Sequence, residues 1–184
     1  MEELSLHILD IVENSIRAEA NKVEIIIVED TKKDLLTIEI KDNGQGMDKK
    51  TLKRALDPFF TTKKARRYGL GLPLLSEAAK AANGKFFVES KKGKGTVIKA
   101  QFQHSHIDRQ PLGDISQTLF TLILGSQNVD FIYSHRKNGR KCSLDTRKIR
   151  AELNGTPFGS PEGIKIIRDN LHKIEKKLSG GKNE

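Results

Sequence analysis

Two strand-like apolar stretches, residues 22–28 and 35–41, are separated only by the polar turn 29–34. A second pair, 85–90 and 96–102, is joined by Lys91-Lys92-Gly93-Lys94-Gly95. Strands linked by turns this short pair antiparallel, because a parallel return needs a crossover of a dozen residues or more. Residues 2–18 precede the first hairpin with helical spacing. Leu4, Ile8, Ile11 and Ser15, beside Leu9, Val12 and Ile16, form an apolar face opposite the stripe Glu3, His7, Asp10, Asn14 and Arg17. Between the hairpins lie a short helical pattern at 48–56, for which Asp48 is a fitting N-cap, and a longer one at 72–82 stopped by Asn83-Gly84. Pro58 ends the shorter helix, and 59–68 reads as irregular and basic. The order predicts an α+β fold: a two-layer sandwich of mixed or antiparallel sheet with helices on one face.

After Phe102 the composition shifts. Residues 103–113, polar and carrying two histidines and Pro111, read as a linker. An apolar helix at 115–124 follows, then a hairpin turning at Asn138-Gly139, a short helix at 145–153, the loop 154–160, and a final helix capped by Ser160 with Pro161 at its first position. The expected organisation is a main domain over residues 1–105 and a small α+β appendage over 106–184. The stripe Ile164, Ile167, Leu171, Ile174 and Leu178 is expected to pack on its own domain, a partner helix being the alternative.

The formal charge of +9 is spread over every segment and interleaved with acids, which describes a charged, soluble surface better than a nucleic-acid-binding one. The local cluster Lys63, Lys64, Arg66 and Arg67 matters more, since it precedes a glycine pair and invites phosphate. No apolar run approaches the length that spans a bilayer, and an N-terminus opening on Glu2 and Glu3 is not that of a signal peptide, so no membrane partner is expected. Cys142 is the only cysteine, which excludes an intrachain disulfide and a cysteine-only zinc site and points to a reducing, cytoplasmic compartment.

Three groups of residues carry chemistry. Asp10 and Asn14 stand four apart on a helix and emerge on one face. A carboxylate there can take a proton and an amide oxygen can ligate a hard cation, although a polar stripe is more often simply the wet face. Asp42-Asn43-Gly44-Gln45-Gly46 directly follows a strand. Its carboxylate can accept from a base amino group while the glycines let backbone approach, and the same residues equally describe an ordinary turn. Tyr68-Gly69-Leu70-Gly71-Leu72 opens a helix, where backbone amides hold phosphate. It is neither a Walker loop nor a Rossmann fingerprint, lacking the Gly-Lys-Ser/Thr of one and the preceding strand of the other. His7 reads as a wet-face or satisfied histidine, and His104, His106 and Asp108 as linker residues rather than a metal site.

Taken together and in order, these segments resemble the Bergerat-fold ATPase superfamily of histidine kinases, gyrase, mismatch-repair ATPases and anti-sigma-factor kinases. Ile11-Val12-Glu13-Asn14-Ser15 is similar to its asparagine box, and 42–46 to its adenine-reading loop. Pro58-Phe59-Phe60-Thr61-Thr62-Lys63 is similar to the segment opening the lid in one group of histidine kinases. Gly69-Leu70-Gly71-Leu72 resembles the lid's closing glycines, and Gly93-Lys94-Gly95-Thr96 the last box before the final strand. The resemblance covers residues 10–102 and implies ATP and Mg²⁺ as cofactors. By its pattern Asn14 holds Mg²⁺, Asp42 recognises adenine and Gly44 and Gly46 shape the base pocket. Lys63 reaches toward phosphate, Gly69, Leu70 and Gly71 close on the phosphates, and Thr96 supports the adenine-binding carboxylate.

The departures from that pattern narrow the expectation. Asp10 occupies the place of the general-base Glu of hydrolysing members and is one methylene shorter. Arg17, one turn past Asn14, is placed to meet phosphates, and Arg67 replaces a glycine usual in the lid. The Asp10, Asn14 and Arg17 set is nearest to the protein-serine kinases of the superfamily. Only nine residues precede Asp10, so no phosphoacceptor hairpin is expected ahead of it. The resemblance therefore implies a regulatory protein kinase acting in trans on a separate acceptor protein, with Asp10 as base. The alternative is an ATP-dependent conformational switch or slow ATPase controlling a partner. A homodimer stays open as an assembly.

Overall fold

The computed structural model describes residues 3–57 and 71–180. The segment expected to form the lid, including Lys63, Arg67, Gly69 and Leu70, lies outside the described residues. The first helix, α1 (Leu4–Arg17), leads into the antiparallel hairpin β1 (Lys22–Asp30) and β2 (Leu35–Asp42). Next come α2 (Lys49–Ala55), whose N-cap Asp48 accepts from Thr51 N at 2.7 Å, and α3 (Gly71–Ala81). The second hairpin, β3 (Lys85–Lys91) and β4 (Gly95–Gln103), pairs antiparallel and adds to β2 through β4. After it follow α4 (Ile115–Gly125), β5 (Asp130–Lys137), β6 (Arg140–Asp145), α5 (Thr146–Glu152) and α6 (Pro161–Ser179).

The six strands among the described residues form one sheet in the order β3-β4-β2-β1-β5-β6. The period-two pattern sets which side is buried: Val23, Ile25 and Ile27 of β1 and Leu36, Ile38 and Ile40 of β2 are essentially inaccessible, while the residues between them are half-buried. Ile8 and Ile11 of α1, Leu75 of α3 and Ile123 of α4 close the same core. The expected α+β sandwich is thus present.

The region after residue 105 differs from the expected appendage in how it is attached. β5 pairs with β1 in parallel register, Val23 opposite Phe131 and Ile25 opposite Tyr133, and β6 continues the sheet beyond it. Phe131, Tyr133, Leu119, Ile167 and Leu171 join the core of the first hairpin rather than forming one of their own. The physical reason is the edge of β1: left free it would expose a row of unpaired backbone groups, and β5 satisfies them. Ile167, Leu171 and Ile174 of α6 are buried, so its stripe is turned inward on this chain.

The segment 103–113, expected as a linker, is a strap across the start of α1. Glu3 supplies no side-chain cap there; Leu4 N and Ser5 N donate instead to Pro111 O and Leu112 O, both at 2.9 Å. These are amides that a helix start leaves without intrahelical partners. The strap also buries His7, whose Nε2 meets Gln110 Oε1 at 2.9 Å while Nδ1 has no hydrogen-bond partner among the described residues. Of the two places expected for His7, the wet face and a satisfied interior position, the structure shows the interior one, with Nε2 bonded, and burial pushes its pKa down.

At the far end of β1 a polar network bridges β1, β5 and the strap. Tyr133 Oη lies 2.8 Å from His135 Nδ1, His135 Nε2 2.9 Å from Glu29 Oε1, and His104 Nε2 3.2 Å from Glu29 Oε2. The His135 bond, opposed by burial and helped by His104 and Lys137, holds the Glu29 carboxyl down at about 2. A carboxyl depressed in the folded state stabilises the fold above its unfolded pKa, and that contribution fades as pH falls toward the folded value. Urea unfolding between pH 5 and pH 2 should therefore show a loss of about 3 kcal/mol that the Glu29→Gln variant lacks. Parallel acid limbs in the two proteins would refute the assignment.

Candidate functional site

The polar stripe of α1, the end of β2 and the start of β4 converge on one cleft of about 480 Å³. Asn14 and Arg17 reach it from α1, Asp42 and Gly46 from the end of β2 and the loop that follows, and Thr96 from β4; Ile11, Met47, Leu72 and Ile98 supply apolar wall. A strand ending at Asp42 and a helix ending at Arg17 are brought together because Gln45 N donates to Ala18 O at 2.8 Å and Asn43 Oδ1 accepts from Asn21 N and Lys22 N at 3.1 and 3.0 Å. These bonds fix the loop onto the turn between α1 and β1.

The Asp42 carboxylate is held by three donors. Oδ1 accepts from Gly44 N at 2.9 Å and from Thr96 N at 3.2 Å, and Oδ2 accepts from Ser15 Oγ at 2.7 Å. A carboxylate has about four acceptor positions, so capacity remains for a donor entering the cleft. Gly46 has φ +62°, and a Cβ there would collide with Lys91 O of the opposing turn; only glycine fits. Asn14 Oδ1 accepts from Arg17 Nη1 at 3.3 Å, and the same guanidinium bonds Glu13 Oε2 at 3.0 Å, which keeps the amide oxygen at the cleft wall.

Asp10 stands one turn before Asn14, against the start of α3: a Cβ on Gly71 would run into its carboxylate. The closeness of Gly71 thus serves α3's approach to α1. Among the described residues, the geometry brings together Asn14, Arg17, Asp42, Gly46 and Thr96 at the cleft, Gly44 beneath Asp42, and Asp10 with Gly71 to one side. Lys63, Gly69 and Leu70 are outside those residues.

Two serines at the site were not singled out by sequence reasoning. Ser15 was counted on the apolar face of α1, yet its hydroxyl is spent on Asp42 and on Ile11 O at 3.2 Å. Ser90 looks like any strand residue but contacts both Met47 N and Thr96 Oγ1. A hydroxyl within an apolar stripe was the only available signal for the first, and nothing local marked the second.

Chemically the cleft offers an acceptor-only carboxylate, apolar walls suited to a flat ring, and at its other side a neutral amide oxygen beside a cation. Comparison with known proteins agrees with that inventory. Residues 2–106 match the family described as histidine kinase-, DNA gyrase B-, and HSP90-like ATPase. The chain is 35% identical over 103 residues to a putative sensor protein of Shewanella frigidimarina, covering 55% of this chain and 16% of that protein. It is 45% identical over 65 residues to sporulation kinase E of Bacillus subtilis, covering 35% and 9%. It therefore spans only a small part of these relatives. Among solved structures, the Aquifex aeolicus MutL ATPase domain complexed with ADP superposes with a TM-score of 0.51 at 15% identity, covering 100% of this chain and 99% of that one. The N-terminal domain of a DNA repair protein gives 0.51 at 18% identity over 79% and 53%. Those identities speak for the fold alone. With the family's pattern matched over more than half its length, this chain belongs to the histidine kinase-, DNA gyrase B- and HSP90-like ATPases.

Proposed function

We propose that the chain binds Mg·ATP in this cleft and acts as a regulatory protein kinase in trans on a separate acceptor protein. The observation that carries the reading is Asp42: three donors lock a carboxylate, with acceptor capacity to spare, in the cleft that Asn14 also lines. Asp42 accepts from the adenine amino group, Gly44 and Gly46 shape the pocket around the base, and Thr96 supports the carboxylate. Arg17 meets the phosphates, as do Lys63, Gly69, Leu70 and Gly71 from the lid side.

No group of three His, Cys, Asp or Glu among the described residues is arranged to hold a metal by itself. A single amide oxygen from Asn14 fits Mg²⁺ all the same, because that ion takes most of its ligands from phosphates and water. When bound, Mg²⁺ neutralises phosphate charge. The chain's own part is to position the nucleotide and, through Asp10, to accept the proton of an incoming hydroxyl. The lone free Cys142 supports a cytoplasmic setting, and no helix of the described residues is long and apolar enough to cross a membrane.

One observation favours a second reading. Asp10 lies against Gly71, the first residue of the helix that follows the lid, so nucleotide at the lid can move α3 against α1 without any transfer, as in a switch. In that reading the 106–184 region reports the nucleotide state to a partner. Incubation with γ-labelled ATP and cell lysate distinguishes the two. The kinase reading expects label on a second protein and a drop of about tenfold or more in Asp10→Ala, at unchanged ATP affinity. Tight ATP binding with no labelled protein would leave the switch, and phosphate release without an acceptor would leave the slow ATPase.

A further inference from the structure

The turn at Asn138-Gly139 is flanked by Arg136-Lys137 on one side and Arg140-Lys141 on the other, bases with no acid among them. Folding concentrates them. The β5–β6 register sets Arg136 directly opposite Lys141 and Lys137 directly opposite Arg140, two like-charge pairs on successive rungs. Side chains so placed are about 5 Å apart at Cβ, and like charges there destabilise a hairpin. The surroundings relieve them little. Lys137 Nζ lies 3.7 Å from Glu29 Oε2, but that carboxylate is already engaged by His135 and His104. Arg140 Nη1 donates to Leu178 O at 3.3 Å, which brings the end of α6 to the same place, and Lys177 there is near enough to β6 to act on the Cys142 thiol. Arg136 and Lys141 are exposed and have no ion-pair partner among the described residues.

A second feature coincides with this charge. β6 ends the sheet, pairing with β5 on one side and, among the described residues, with no strand on the other. An open edge is a row of amides and carbonyls ready for a further strand. Lysine on an edge strand also keeps identical copies from pairing, and that need alone would account for Lys141. It does not account for Arg136 and Lys137, which stand on the inner strand β5, nor for facing them with further bases. Among polyanionic partners, the rest of the surface decides. The exposed large apolar residues, Leu6, Leu74, Phe87, Val97 and Ile107, all lie off β5, β6 and α6, so the patch offers neither a ring on which a base stacks nor a wedge for a bilayer. What stands beside the charge is a strand edge, which a polypeptide can extend.

We propose that β6 is a docking edge for an extended acidic segment of a partner protein, which joins the sheet beyond β6 and sets its carboxylates beside Lys141 and Arg136. The inference is independent of what the cleft binds. Val28 of β1 pairs with Arg136 whereas Val23 pairs with Asp42, so docking edge and cleft sit toward opposite ends of the sheet and do not compete.

The test uses the full chain and a short fluorescent peptide of alternating Glu and Val, followed by anisotropy. The peptide should bind, and amide hydrogen exchange over residues 140–145 should slow. Lys141→Glu should weaken it by about tenfold or more, since attraction becomes repulsion. The same substitution turns a like pair into an opposite pair with Arg136, so the variant should melt at or above the unmodified chain, and lost binding then does not reflect unfolding. Arg136→Glu, which makes the opposite pair in the other sense, is the companion variant with the same expected loss. The peptide N-methylated throughout keeps its charge but has no amide hydrogens for the ladder, and should not bind. Binding of the methylated peptide as tight as that of the parent, unchanged affinity in both variants, or no binding of the parent peptide overturns the proposal. So does tighter binding, weakened by Lys141→Glu, of oligouridylate or of phosphatidylserine vesicles, which would assign the surface to RNA or to a membrane.

Discussion

In Asp42→Asn, ATP affinity should drop by about a hundredfold or more, with little change in thermal stability. The substituted amide keeps an oxygen for Gly44 N and Thr96 N, so the loop retains the two backbone bonds that shape it. Its other atom becomes an NH₂ where Oδ2 stood. That group can still pair with Ser15 Oγ, with the hydroxyl reversed and donating to Ile11 O. Toward the cleft, however, it presents a donor against the donor of the adenine amino group. A charge-assisted bond is replaced by a clash of two unpaired donors, a difference of roughly 3 kcal/mol or more. Titration calorimetry of the two proteins, paired with melting curves, measures both halves of the statement. An affinity within threefold of the unmodified chain would remove Asp42 from base recognition and, with it, the observation on which the nucleotide reading stands.

The second large effect concerns Phe131, far along the chain from any motif. Its ring is inaccessible, on a strand whose register sets it opposite Val23 of β1. Truncation to alanine should cost about 3–5 kcal/mol, through lost burial and the cavity left behind. It should also lower the entire unfolding transition as one step, because the strands on either side share a core. The cleft should feel it as well: Val23 is also the register partner of Asp42, so β1 lies between the substituted strand and the carboxylate proposed to read the base. Chemical denaturation followed by both circular dichroism and nucleotide binding tests this. Two separated transitions, with the first hundred residues unaffected, would show that the chain works as two independent units.

The contrast between those residues shows what a linear reading can reach. Asp42, Asn14 and Thr96 were legible because short-range patterns put them in place: a strand that must end before a glycine loop, a helix with one polar stripe, and a hairpin whose turn sets the next strand's register. The pairing of β5 with β1 was not, because no turn joins them and a half-buried strand carries no mark of its neighbour's identity. The choice between wet face and interior for His7 stayed open for a related reason. Helical spacing says which residues share a face, but the segment that covers that face comes a hundred residues later. Ser15 and Ser90 escaped because a hydroxyl's role depends on which groups surround it in space.

The strap over α1 makes the two halves of the molecule answerable to each other. The carbonyls of Pro111 and Leu112 take up the free amides at the head of the helix that carries Asn14, and three residues further on the chain enters α4. A protein that gripped α4 or α6 and shifted the strap would release or tighten the seat of that helix, changing how firmly nucleotide is held. Linkage then requires the reverse in equal measure: nucleotide in the cleft must alter the hold of that protein by the same factor.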